Sequence, residues 1–185
     1  MAQADVRVAE PADAAEIARI QLDTWRAAYA DLLPPDVLAG LDASNAEQSW
    51  RAAVDDDATT LYVATEGPWI VGFCVAGPAP DGEMALADGS VPEDAATVGM
   101  IGTLIVEPRW GRRGHGGRLL GTAADGLRKA GMTRGITWVP EADVVSGAFY
   151  RRAGWAPDGT LRTLDTGGGT MRELRLTGTV ELTVR

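Results

Sequence analysis

Hydrophobic and polar positions change their period along the chain, and each change marks an element. Residues 5–9 alternate and read as a short strand. Over 11–29, Ala14, Ile17, Ala18, Gln21, Trp25, Ala28 and Tyr29 recur at three- and four-residue spacing, which predicts a helix with one inward face. Pro11 suits its first turn, and Leu32-Leu33-Pro34-Pro35 breaks it. A short helix is expected over 36–41. The capping-box spacing of Ser44 and Glu47 predicts a third, running to Val54. The period then becomes two, and 60–66 and 69–77 predict a hairpin turning at Gly67-Pro68. Residues 78–95, rich in Pro, Gly, Asp and Glu, predict a loop. Beyond it the pattern gives a buried strand (97–106), a helix stopped by Gly131 (116–130), a strand (135–139) and a helix stopped by Gly154 (144–153). Two last strands, 155–166 and 171–184, are separated by Gly167-Gly168-Gly169. Helices before strands, then alternating strands and helices, predict an α/β (α+β) fold: a mixed sheet with helices on its faces.

Composition narrows the function classes. The 185 residues suit one domain, 1–185, large enough to fold without staples. The lone Cys74 excludes an intrachain disulfide, and the lone His115 excludes Cys/His zinc patterns, so no metal is expected. No apolar stretch reaches the roughly 18 residues of a membrane span, and the first residues lack a signal peptide's basic and apolar parts. The expected location is cytoplasmic. A net charge of −9 argues against a nucleic-acid surface, which needs clustered cations. The acidic stretch with Asp81, Glu83, Asp88, Glu93 and Asp94 is either a solvated loop or an attractor for a cationic partner.

One segment runs against that acidity. Between an apolar strand and an apolar helix lies Val106-Glu107-Pro108-Arg109-Trp110-Gly111-Arg112-Arg113-Gly114-His115-Gly116-Gly117-Arg118. A helix start carries unpaired N–H groups and the positive end of the macrodipole, and glycines let those amides approach an anion. With four arginines added, these are the ingredients of a diphosphate cradle. A Walker loop would need Gly-Lys-Ser/Thr where this chain has Gly-Gly-Arg, and the dinucleotide fingerprint fails because Leu119 stands where its last glycine belongs.

The segment resembles motif A of the GNAT acyltransferase superfamily, V-x-P-x-x-Q/R-x-x-G-x-G/A, through Val106, Pro108, Gly114 and Gly116. Gly111 stands where Gln or Arg is usual and Arg112 where Gly is common, as if exchanged. Phe149-Tyr150-Arg151-Arg152-Ala153-Gly154-Trp155 resembles the superfamily's F-Y-x-x-x-G-F/W signature. The N-terminal helix also looks like that of many small bacterial members. The resemblance implies a mostly antiparallel central sheet with helices on both faces. It also implies transfer of an acetyl group from acetyl-CoA to a primary amine of a small molecule or peptide by direct attack, and a possible homodimer.

It further implies roles for residues. Main-chain amides from Arg112, Arg113, Gly114, His115, Gly116 and Gly117 would hold the diphosphate. Leu104, Ile105 and Val106 would pair with the pantetheine arm and offer N–H donors to the thioester oxygen. Tyr150 would be the general acid for the departing thiolate. Asp143 and Ser146 stand where Asn and Ala are frequent; with Tyr150 they would contact the cofactor, Asp143 holding the pantetheine in place of Asn unless it serves as the base. Met100 occupies the place of the family's common Glu, so the base is open among Glu107, Asp23, Asp31, Glu141, Asp143 and a water relay. Glu107 is expected at the surface, facing opposite Val106. The ring of His115 is expected to be incidental and Cys74 to be buried packing. Trp25 and Tyr29 line either the acceptor pocket or the core. The departures at Met100 and Gly111 leave a non-catalytic CoA-binding domain as the alternative, with a purely structural partner-binding module more distant.

Overall fold

A computed structural model describes residues 3–28, 30, 34–167 and 169–182. Among the described residues the α-helices and strands succeed one another as β1 (Ala4–Val8), α1 (Ala14–Ala28), α2 (Pro35–Ala39), α3 (Ala43–Val54), β2 (Thr60–Glu66), β3 (Trp69–Pro78), α4 (Asp81–Met84), β4 (Val98–Val106), α5 (His115–Lys129), β5 (Arg134–Pro140), α6 (Val144–Arg152), β6 (Ala156–Asp165) and β7 (Thr170–Thr179). The strands form one sheet in the order β1-β2-β3-β4-β5-β7-β6. Every pairing is antiparallel except β4 with β5.

The two-residue period of β2 divides the core. Tyr62 and Ala64 join Leu119, Leu120, Ala123 and Leu127 of α5 on one face. Leu61 and Val63 join Ile17 and Ile20 of α1 and the edge of Trp50 from α3 on the other. The sheet is thus mostly antiparallel with helices on both faces, as the resemblance implied. At roughly 25 cal/mol per Å² of apolar area removed from water, such two-sided burial is the main force holding the layers together.

Several boundaries differ from the sequence reading. The third helix begins at Ala43, capped by Asp42, whose carboxylate accepts from the Asn45 amide at 2.8 Å. Asp caps as well as Ser, so the first competent residue takes the role, and Glu47 pairs with Arg51 instead of closing a box. The expected loop over 78–95 contains α4. The inward face of α1 includes Ile20 and Leu22, while Ala28 is exposed. The last strand ends at Thr179, short of its expected end at Val184, which lies outside the described residues. Tyr29, Asp31 and the Leu32-Leu33 part of the helix break also lie outside them.

One packing feature controls the β5–β7 pair. Gly135 and Gly178 face each other in register, and the indole of Trp155 lies against both backbones. The Trp155 indole N–H donates to the Thr179 carbonyl at 3.2 Å. A Cβ on either glycine would enter the ring. In an ordinary strand Gly→Ala is mildly favourable. Here Gly135→Ala and Gly178→Ala are each expected to lower unfolding stability by about 1–3 kcal/mol, the usual cost of overpacking, read by urea denaturation. A neutral or stabilising result would overturn this account of the Trp155 contact.

Candidate active site

The site begins where the two parallel strands part. β4 and β5 pair only over Val98–Met100 and Arg134–Ile136. Beyond Met100, β4 stays paired with β3 alone, and β5 continues with β7. A bulge at Gly102 deepens the divergence, because Val75 opposes Thr103 while its neighbour Ala76 opposes Ile101. A wedge therefore opens at the carboxyl ends of two parallel strands, where open sheets commonly take ligands. Leu104, Ile105 and Val106 form its β4 wall, each partly buried. At its apex the Thr137 hydroxyl donates to the Ile101 carbonyl at 2.8 Å.

Tyr150 reaches this apex from α6. It is 5% exposed and packs on Phe149 and Trp155, with ring centroids 5.1 and 5.6 Å away. Burial pushes its phenol above the ordinary value, and the nearby Thr137 hydroxyl offsets only part of that. The phenol therefore keeps its proton. Cys74, fully buried on β3 beside Leu104, is pushed up by desolvation and stays a thiol.

The glycine-rich turn adjoins the wedge. Pro108–Trp110 form one 3₁₀ turn, and the chain then passes through left-handed backbone at Arg112 (φ 61°) and Gly114 (φ 85°) before α5 starts at His115. The exchange of Gly and Arg read at 111–112 thus puts arginine where the backbone favours glycine, a strain on the order of 1–2 kcal/mol. Among the described residues no acceptor takes the amides of 112–117, while the next one, Arg118 N–H, closes onto the Gly114 carbonyl at 3.0 Å. Gly114 supplies no side-chain cap either. This row of free donors lies at the positive end of a 15-residue helix. A Cβ built on Gly116 would lie 3.4 Å from the Phe149 ring and 3.9 Å from Leu104, so α5, α6 and β4 converge there.

The ring of His115 is packed inside the protein and paired. It is 1% exposed, and Nε2 lies 2.8 Å from Glu66 Oε2. An ionised carboxylate only accepts, so Nε2 donates. Nδ1 is buried without a partner. Glu66 also takes Arg113 at 3.0 Å, and that guanidinium lies 4.8 Å over the Trp110 ring. The bond from His115, then Arg113, holds the Glu66 carboxyl below its usual range. Sequence reasoning missed Glu66 because nothing local marks it; the partners are 49 residues apart.

The candidate bases are all engaged where described. Glu107 is not at the surface. It is 8% exposed, with Arg109 Nε at 2.9 Å and Arg19 Nη1 at 3.2 Å, because α1 brings Arg19 across the end of β4. Burial alone would raise its pKa, but the two guanidinium groups win and lower it. Asp23 pairs with Arg19 and Arg26, and Glu141 with Arg172. Asp143 caps α6 through Ser146, accepting from its amide at 3.0 Å and its hydroxyl at 2.6 Å. Met100 packs against Ala79, Met84, Val98 and Ile136.

The acidic stretch is partly pinned rather than freely solvated. Glu83 pairs with Arg162 at 2.8 Å and Asp94 with Arg134 at 2.6 Å. Arg175, 2% exposed, donates to the carbonyls of Glu83 and Ala85. Trp138, unmarked by the sequence reading, carries Arg162 4.3 Å over its ring on the same face. Trp25 is half-buried on α1. Among the described residues no group of three or more His, Cys, Asp or Glu is placed to hold a metal, and no helix is long and apolar enough to cross a membrane.

A splayed mixed sheet with a glycine-rich turn at a helix start beside the gap is the architecture that comparison with known proteins places. Residues 15–155 match the family described as Acetyltransferase (GNAT) family. The chain belongs to that family of acyltransferases. It is 28% identical over 137 residues to the uncharacterized N-acetyltransferase YuaI of Bacillus subtilis (strain 168), covering 74% of this chain and 71% of that one. Its fold matches PaiA N-acetyltransferase from Thermoplasma acidophilum, crystallised with coenzyme A, at a TM-score of 0.73 and 13% identity over 96% of this chain and 99% of that one. It also matches the ribosomal-protein-alanine N-acetyltransferase of Brucella melitensis at 0.72 and 18% identity, over 95% and 99%.

Proposed function

We infer that this chain transfers the acetyl group of acetyl-CoA to a primary amine, small-molecule or peptide. The observation that carries the reading is the row of acceptor-free amides at 112–117, at the start of α5 and beside the wedge. Those amides fit a diphosphate, and the buried polar apex fits a thioester's reacting end. Bound acetyl-CoA supplies an acyl group on a sulfur leaving group.

The chain's own groups do the rest. Amides of 112–117 hold the anionic linkage, and Leu104 and Val106, whose N–H groups alternate away from β3 while that of Ile105 faces Phe73, offer strand N–H groups to the arm and to the carbonyl oxygen, where negative charge develops. Tyr150 holds a proton at Oη for the departing sulfur. With Glu107, Asp23, Glu141 and Asp143 already committed, loss of the amine proton through water is the simplest route.

Calorimetric titration with acetyl-CoA is expected to show saturable micromolar binding, and CoA release should follow with some member of an amine panel. Absence of heat at high micromolar ligand would sink the reading. Met100 and the ion-paired carboxylates favour one second reading, a CoA-binding domain without turnover. Binding with no CoA release across primary amines would select it.

A further inference from the structure

We propose that Glu66 is a positioning residue for the diphosphate turn, holding the amides of 112–117 in their binding geometry through His115 and Arg113. This rests on the acetyl-CoA reading above and names a residue on a different element. Glu66 ends β2, paired in register with Ala4 of β1 and Trp69 of β3, so its backbone belongs to the rigid sheet. Its two carboxylate oxygens take different loop residues: Oε2 faces His115 Nε2 at 2.8 Å and Oε1 faces Arg113 Nη1 at 3.0 Å. His115 is the first residue of α5, and Arg113 precedes the left-handed Gly114. The two contacts therefore clamp both sides of the Gly114 bend. Arg118 already holds the carbonyls of Arg113 and Gly114, but the turn's backbone passes twice through left-handed conformation and its amides make no bond, so the side-chain clamp bears on their direction.

The sign of the electrostatics separates positioning from binding. A carboxylate beside a diphosphate site repels the ligand. Placed there, it contributes only if what it organises outweighs that repulsion. It also fixes how Arg113 is used: that guanidinium is tied to Glu66 and stacked on Trp110, leaving its amide to face the ligand. His115 contributes likewise. Its ring is sealed among protein atoms with Nδ1 unpartnered, so among the described residues its anchoring bond is the one to Glu66.

The test compares Glu66→Ala and Glu66→Gln, each titrated by NMR with acetyl-CoA and with S-acetylpantetheine, which lacks the diphosphate. Circular dichroism melting monitors folding. Both variants remove the same charge, but Gln keeps an acceptor oxygen. The expected result is acetyl-CoA binding about tenfold weaker in Glu66→Ala, of the order of one lost charge-assisted hydrogen bond, and a smaller loss in Glu66→Gln. S-acetylpantetheine should bind all three proteins alike. Equal tightening in both variants would mean that Glu66 acts only as a repelling charge, and equal weakening for both ligands would mean a general structural role; either overturns the proposal. If the unaltered protein binds S-acetylpantetheine as well as acetyl-CoA, the diphosphate reading itself fails and this inference falls with it.

Discussion

Tyr150→Phe is expected to lower kcat for amine acetylation by about 10²–10⁴-fold while leaving the acetyl-CoA dissociation constant nearly unchanged. The size follows from the task. The Tyr150 phenol is buried, and in so low a dielectric a fixed proton donor to the departing thiolate is worth far more than in solvent. The substitution is also structurally mild. The ring keeps its contacts with Phe149 and Trp155, and the Thr137 hydroxyl keeps the Ile101 carbonyl as its acceptor, so no buried donor is orphaned. The pH profile gives an independent check. A general acid works while protonated, so its activity falls as pH rises through its pKa. Burial moves that pKa above the ordinary value of about 10, so any fall in kcat below it belongs to another group. Stopped-flow detection of released CoA thiol measures the effect, and a kcat within twofold of the parent would remove Tyr150 from the chemistry.

That prediction rests on residues the sequence marked, and others show where local reading stops. The strands and helices were legible because each buries one face, which stamps a period of two or of three to four on its residues. The glycine-rich turn at the start of α5 was legible because its glycines and its place between strand and helix are local properties. The left-handed backbone at Arg112 was foreshadowed only by its exchange with Gly111, since arginine itself does not announce it. Glu107 failed because alternation along β4 says which side a residue leaves from, not that Arg19 of α1 and Arg109 will close over it. The pairing of the His115 ring went unread in the same way: its partner sits on β2, and only the fold brings the two together. Long-range ion pairs leave no trace in spacing, so the electrostatic half of the site needs coordinates.

Glycine substitutions along the turn separate backbone conformation from ligand contact. Gly114→Val is expected to weaken acetyl-CoA binding by at least ~100-fold, since a β-branched residue resists φ near +85° and the turn must reorganise. Losing even two amide bonds to an anion, at roughly 1.5–3 kcal/mol each, accounts for that factor. Strain alone would also lower stability, so Gly114→Val by itself is ambiguous. Gly117→Ala resolves the ambiguity. Gly117 lies in the first turn of α5, and a Cβ there would meet nothing within 4 Å. On helix propensity alone the protein should gain about 0.5–1 kcal/mol. If the diphosphate sits against the start of α5, the added methyl occupies its space, and acetyl-CoA affinity falls while the melting temperature rises. A Gly117→Ala protein that is more stable and binds acetyl-CoA as before would move the ligand off the helix start, and the amides of 112–117 would then need another role.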